Sequence, residues 1–310
     1  STVNLLKNIS DVERILNRTR TFSCNPRDLI SLKESLRQIT NVSVVSHEIL
    51  NTLSIPQGFP DNSKLINLLE STLFETPSNI PGDGSVIKNG YSKDLDELRD
   101  LLSDTSNAIL ALENNVKEKT GIKTLKIGFN RVFGYYIEVT RSHLLNVPDS
   151  FERRQSLVNS ERFVTAELKE LETKILSARD RVSVIEKNLF KSICTEVNSY
   201  SDSILHSANL IANIDVICSY ANVAMGSGWI KPKVNTSFDI KIKSSRHPTV
   251  ESNLGSTQFV PNDVDISHIG KRINIITGPN MSGKSTYIRQ IGILCMLAQS
   301  GSFVPAESAT

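Results

Sequence analysis

The run Gly278-Pro279-Asn280-Met281-Ser282-Gly283-Lys284-Ser285 has the residue types and spacing to hold a phosphate chain. Gly278 and Gly283 permit backbone conformations closed to other residues, so consecutive amides can curl around a phosphate at a helix N-terminus. Lys284 would neutralise β and γ phosphates, Ser285 would bind Mg²⁺, and Thr286 adds a hydroxyl on the α-phosphate side. The expected ligand is therefore Mg²⁺ with a nucleoside triphosphate. Upstream, Arg272 to Thr277 reads as a short buried strand feeding the glycine turn. Downstream, Ile288, Ile291, Cys295, Leu297 and Ala298 read as a helix. A phosphate cradle alone hydrolyses nothing, because a second carboxylate for Mg²⁺ and a group that positions water are also needed. Glu307 is the only acid after Ser285, so no catalytic residue is assigned. Phe259, in Gln258-Phe259-Val260-Pro261-Asn262, either offers a ring to adenine or is an ordinary core aromatic, and the residues alone favour the second.

A second group is basic. Lys123, Lys126, Arg131, Arg141, Arg153, Arg154 and Arg162, with Asn159, fall between Ile122 and Arg162, after the acid-rich stretch from Asp83 to Glu118. Such residues can contact duplex phosphates without reading bases, or can simply be the solvated surface of a small domain. The overall charge of +2 does not decide between them.

The elements that must position these groups are mostly helical. Asn25-Pro26-Arg27-Asp28 supplies an N-cap, Pro at the first helical position and an acid three residues on, and Leu29, Leu32, Leu36 and Ile39 then share a face. Asp61 opens another helix, with Leu65, Leu68, Leu69 and Leu73 inward, and Pro77 to Gly90 is a loop. A third helix runs from Ser92 to Gly121. Between Ile122 and Phe163 the period changes to two, which predicts a small β insert. From Asp149 to Met225 there is neither Gly nor Pro, and Val164, Leu168, Leu171, Ile175, Ala178, Val182, Ile185 and Leu189 form a heptad seam. A helix over about Thr165 to Val197 would be roughly 50 Å long, the shape of a lever arm. Another helix returns from about Asp202 and ends at Gly226-Ser227-Gly228. Beyond Trp229 the texture is α/β, with Phe238 to Ile242 alternating, so a boundary is expected near Met225 to Trp229.

A length of 310 residues allows two or three domains. No uninterrupted apolar run of 18 residues exists, so no membrane span is expected, and the start Ser1-Thr2-Val3-Asn4 does not resemble a secretory signal. The expected location is cytoplasmic. Cys24, Cys194, Cys218 and Cys295 have no zinc-ligand spacing and read as reduced thiols. The lack of an initial Met and the end just past a helix suggest a piece of a longer chain.

Several longer motifs resemble the MutS DNA mismatch repair family. They include Asn280-Met281, Ser285 to Gln290, Gly301 to Ala306, Arg246-His247-Pro248 and Phe259 to Asp263. Gly128-Phe129-Asn130, Gly134 to Val139, Arg153-Arg154-Gln155, Asn159 to Arg162 and Glu167 to Glu170 are similar to its clamp and lever region, and Asp11 to Leu16 with Asn25 to Leu29 to the start of its core. The resemblance implies a multidomain α plus α/β protein. A helical lever core (1–120 and 168–226) would carry a β-rich clamp (121–167), followed by the first part of an ABC-type P-loop ATPase domain (229–310). It implies ATP and Mg²⁺, double-stranded DNA, a homodimer or paralogue heterodimer, and a downstream repair ATPase of the MutL type. It also implies nucleoid association in a prokaryote. Phe259 and Val260 match adenine-packing positions, and Lys126, Arg131, Arg153, Arg154, Asn159 and Arg162 become candidate DNA contacts. Ser282 departs from the Gly or Ala expected there. Two rivals are a meiotic-type homologue that clamps recombination junctions and a structural-maintenance-type coiled-coil ATPase. The second needs a far longer coil beginning after the P-loop.

Overall fold

In a computed structural model the described residues are 2–45, 58–130, 132–254, 259–270, 273–280 and 282–310. They form two compact units.

The first unit comprises Asn8–Ser43 and Gln57–Ala208. Helices α2 (Val12–Arg20), α3 (Pro26–Val45), α4 (Ser63–Thr72) and α5 (Lys93–Thr120) precede the β insert; a short α1 (Thr2–Leu6) belongs to the other unit. The start of α3 is a reciprocal cap: Asp28 N–H donates to Asn25 Oδ1 at 2.8 Å, and Asn25 N–H donates to Asp28 Oδ2 at 3.1 Å. Leu29, Leu32 and Leu36 are fully buried. Each contributes about 1.5–3 kcal/mol, which outweighs any capping term. Helix α5 ends on Gly121 at φ +68°, a left-handed position that favours glycine. Thr105 interrupts its apolar stripe without an unsatisfied hydroxyl, because Oγ1 donates to Leu101 O at 2.7 Å.

The insert is a four-stranded antiparallel sheet of β1 (Lys126–Asn130), β2 (Gly134–Thr140), β3 (Glu152–Ser156) and β4 (Ser160–Val164), in the order β1-β2-β4-β3. Its inner face joins Ile137, Val139 and Phe163 to Leu112 and Val116 of α5 and to Leu168 of α6 (Ala166–Ser199). Helix α6 is about 50 Å long at 1.5 Å per residue and packs along α5. The expected seam holds as far as Val182 and then moves by one residue. Glu186 and Phe190 are buried, whereas Ile185 and Leu189 are only half-buried. A straight helix at 3.6 residues per turn drifts off a 3.5-residue repeat, and Glu186 has partners that reward its burial.

The second unit comprises Ser1–Lys7, Val44–Pro56 and Asn209–Thr310. Helix α7 (Ser201–Ser227) enters it, followed by β5 (Ile240–Ser245), α8 (Pro248–Leu254), β6 (Asn262–Ile266), α9 (Lys284–Gln299) and β7 (Ser308–Ala309). The three strands form an antiparallel sheet in the order β6-β5-β7. Ile242, Val264, Leu294, Val304 and Ala306 make its core.

One expectation about this unit is corrected. The segment before the glycine turn is not a strand in its described part: residues 273–279 have no regular structure, and Ile273 and Ile275 are exposed. A buried strand needs ladder partners, and among the described residues the three strands of this sheet pair only with one another. Arg272, the first residue of that segment, lies outside the described residues. Helix α7 is by length and composition apolar enough to cross a membrane, with mean hydropathy 1.2. Ile, Leu, Val and Ala offset its Ser and Asn residues in the average, although no uninterrupted apolar run exists. Near its start, the buried Ser207 hydroxyl accepts from Asn62 Nδ2 at 3.0 Å.

Candidate functional site

The phosphate motif lies at the start of α9. Gly283 sits just before the helix at φ +89° and makes no side-chain cap, so the first-turn amides have no capping side chain. Nothing lies within 4 Å of where a Cβ on Gly283 would be, so it is backbone conformation, and not crowding, that calls for glycine there. Gly278 is different: a Cβ there would meet Ser282 Oγ at 2.9 Å. Gly278, Pro279, Asn280, Ser282 and Ser285 are exposed, while Lys284 and Thr286 are half-buried. Met281 lies outside the described residues.

Lys284 Nζ donates to the carbonyls of Gly278 and Pro279, the latter at 3.2 Å. The ammonium thus rests on neutral acceptors of its own loop. Anionic phosphate oxygens are stronger acceptors for an ammonium, so the cradle fits a triphosphate, with Ser285 free to ligate a cation. Among the described residues no cluster of three or more His, Cys, Asp or Glu could hold a metal by itself.

Phe259 and Val260 lie just before β6, separated from it by Pro261, with Phe259 half-buried and Val260 exposed. Tyr287 of α9 donates its hydroxyl to Asp263 O of β6 at 2.9 Å, which joins the beginning of that strand to the first turn of the phosphate helix. Burial, with a smaller contribution from Asp263, pushes the Tyr287 phenol above its ordinary range and keeps it a donor. Gln290, one turn further on, donates to Ser245 Oγ at 2.6 Å, and Ser245 donates to Asn262 O at 2.5 Å. These bonds fix α9 against β5 and β6. Glu307 accepts from Ser244 Oγ at 3.0 Å.

The basic candidates separate into two groups. Lys126, Glu138 and Arg162 are cross-strand neighbours. Arg162 is committed to the sheet: Nε lies 3.2 Å from Glu138 Oε2, Nη1 donates to Gln155 at 3.0 Å, and the guanidinium lies 4.0 Å from the Tyr136 ring centroid. Lys126 is exposed. Arg153 and Arg154 lie on the edge strand β3, both exposed, with Arg153 3.7 Å from Glu161. The register of β3 slips between Arg153 and Gln155, so Arg154 is the extra residue of a β-bulge, a device that re-aims side chains. Asn159 is exposed in the turn before β4, and Arg131 lies outside the described residues.

Sequence reading missed three glutamates that hold the scaffold. Glu186 is completely buried and accepts from the amides of Gly82, Gly84, Val86 and Ile87 at 2.7, 2.9, 2.9 and 3.3 Å. Arg99 stands 3.7 Å away. A Gly-Asp-Gly-Ser turn, whose successive amides can converge on an anion, was the available signal. At the foot of the insert, Glu113 of α5 accepts from Ile127 N–H at 2.8 Å, and Glu172 of α6 accepts from Tyr135 N–H at 3.3 Å. Burial alone would raise the Glu113 carboxyl, but hydrogen bonds from Lys117 and Ile127 outweigh it and hold the group below its ordinary 4.5.

MutS family domain IV matches residues 90–181, and MutS domain V matches residues 274–310. A DNA mismatch repair protein MutS from Thermotoga maritima is 44% identical over 306 residues, which is 99% of this chain and 38% of the relative. Proteins of the same name from Thermosipho melanesiensis and Clostridium perfringens are 44% and 41% identical over 98% of the chain, covering 37% and 34% of the relatives. The chain thus spans little more than a third of the length of these curated relatives.

Proposed function

From the premise that this chain is a MutS-family sequence, we propose that it forms the lever, clamp and nucleotide-binding part of a protein that binds mispaired duplex DNA under the control of ATP. The observation that carries the reading is that 44% identity to a mismatch repair protein extends over 99% of the chain, through the phosphate cradle and the basic insert alike. Residues 1–120 and 168–226 are the lever core, 121–167 the clamp, and 229–310 the first part of a P-loop ATPase domain.

Lys284 would exchange the loop carbonyls for β- and γ-phosphate oxygens, with Gly278 to Asn280, Ser282, Gly283 and the α9 amides around the phosphates. Ser285 ligates Mg²⁺, which when bound neutralises phosphate charge. Phe259 and Val260 pack on the adenine. Lys126, Arg153, Arg154 and Asn159, with Arg131, contact the DNA backbone, and Arg162 shapes the sheet that presents them. Nucleotide-dependent movement is carried along α6 to the clamp. Within a whole protein of this kind we assign ATP hydrolysis, dimerisation with a like or paralogous subunit, a MutL-type partner and a cytoplasmic location.

The test uses the protein that carries this chain, titrated with a paired duplex and one differing by a single mispair, with and without Mg-ATP. Preference for the mispair, modulated by ATP and with the modulation abolished by Lys284→Ala, is the expected result. Equal affinity in all conditions refutes the reading. Phe259→Ala should weaken binding of ATP more than of inorganic triphosphate, and equal losses would return Phe259 to the core.

A further inference from the structure

Two of the four cysteines are neighbours despite their distance in sequence. Cys24, in the turn between α2 and α3, and Cys194, on α6, are 7% and 1% exposed. Contacts on either side fix the match between turn and helix. Thr19 Oγ1 donates to Asn198 Oδ1 at 2.6 Å, and Lys191 Nζ lies 5.0 Å from the Phe22 ring centroid. Residues 191, 194 and 198 share one helix face, so the same strip that meets Thr19 and Phe22 presents Cys194 to Cys24. Cys24 Sγ donates to Asn25 O at 3.4 Å and also lies close enough to the Cys194 sulfur to interact with it.

The turn holds Cys24 in place. The amides of Ser23 and Cys24 both donate to Arg18 O, at 3.0 and 3.1 Å, and the Asn25–Asp28 cap follows at once. Phe22 is held at φ +52°, an uncommon conformation for an aromatic residue. Thr21, Phe22 and Ser23, which lead into Cys24, are exposed.

We propose that Cys24 and Cys194 are an oxidative modification site, at which a hydroperoxide converts the pair to an intramolecular disulfide that fastens the α2–α3 turn to the long helix α6. The interaction with Cys24, working against burial, lowers the Cys194 thiol. The same interaction, followed by burial, raises Cys24 far above the ordinary range, with Asp28 adding to and Arg18 opposing the effect. Cys194 is therefore the attacking thiolate. Its sulfur attacks one peroxide oxygen, the O–O bond breaks, and the departing oxygen takes up the proton that Cys194 released on ionising, leaving as water (or as the alcohol of an organic peroxide). Cys194 becomes a sulfenic acid. The Cys24 sulfur then attacks the sulfenic sulfur, the S–S bond forms, and the hydroxyl leaves as a second water with the Cys24 proton. Two thiols are oxidised by two electrons and one peroxide is reduced.

Treating purified protein with hydrogen peroxide, quenching, and mapping peptides without reduction tests this. The expected product has no link between chains, has lost two titratable thiols, and yields a single peptide joining Cys24 to Cys194, reversed by dithiothreitol. The Cys218→Ser/Cys295→Ser variant, which leaves the pair intact, should form the same link at an unchanged rate. Cys194→Ser should reduce thiol loss at Cys24 about tenfold. Thiol loss without the Cys24–Cys194 peptide, a link to Cys218 or Cys295, or a link only between chains would each overturn the proposal.

Discussion

The loop around Gly82-Asp83-Gly84 and the loop around Gly278 to Gly283 solve related problems in opposite ways. In the first, four amides converge on the Glu186 carboxylate, which is supplied by the fold, completely buried and 104 residues from Gly82. In the second, the loop is exposed, its helix is uncapped, and a lysine occupies two of its own carbonyls. A resident anion makes a loop part of the structure. On the proposed reading, an anion that must arrive from outside leaves the loop open, with its groups satisfied meanwhile by one another.

The largest expected effect tests that contrast directly. Glu186→Ala orphans four amides and one partner of Arg99, and should cost about 3–5 kcal/mol in urea unfolding. Lys284→Ala should change the same measurement by no more than about 0.5 kcal/mol. If the two variants unfold alike, the loops do not differ in the way described.

Gly134→Ala asks whether the foot of the insert is as tightly specified. Gly134 has φ +78°, and a Cβ there would lie 1.8 Å from Glu172 Oε1, so a loss of about 1–3 kcal/mol is expected. Adding Glu172→Ala should recover part of it by removing the clash but not the backbone strain. Full recovery would show that the φ requirement is unimportant.

A smaller effect is expected from acid. The folded Glu113 carboxyl is depressed below 4.5, so its stabilisation is present above the unfolded value and is lost as pH falls below about 4.5 through the folded one. Glu113→Gln should flatten the decline of stability between about pH 5 and 3; an unchanged slope would place the acid sensitivity elsewhere. Smallest of all, Arg153→Ala with Arg154→Ala should reduce the logarithmic salt dependence of duplex binding by up to about two phosphate contacts. Arg162→Ala should leave that slope nearly unchanged, because its guanidinium is engaged within the sheet. A larger change from Arg162 than from the pair would reverse the division of the basic residues.

Where the determinants are local, the sequence was readable. The α3 cap needs only Asn25 to Asp28, and the phosphate motif compresses its chemistry into eight neighbouring residues. The helix expected from Ser92 to Gly121 emerged with both of those residues as its caps. Glu186 was not readable, because nothing within a few residues of it names the four amides it receives. The same reason displaced the predicted seam by one residue beyond Val182. Arg162 looked like a free cation until strand pairing placed Glu138 and Gln155 beside it. The expected strand before the glycine turn failed in its described part because alternation and apolarity describe one strand, whereas a ladder requires another.

The two glutamates at the foot of the insert also set a mechanical rule. Glu113 on α5 grips β1 through Ile127, and Glu172 on α6 grips β2 through Tyr135, while β1 and β2 are locked in register from Lys126↔Glu138 to Asn130↔Gly134. The hairpin is thus a yoke across two rods. Axial shear of α6 past α5 by even one residue, about 1.5 Å, would pull a carboxylate off its amide or slip the strand register. Bending and tilting the rods together would leave every one of these bonds in place, so the yoke permits joint rotation and resists sliding.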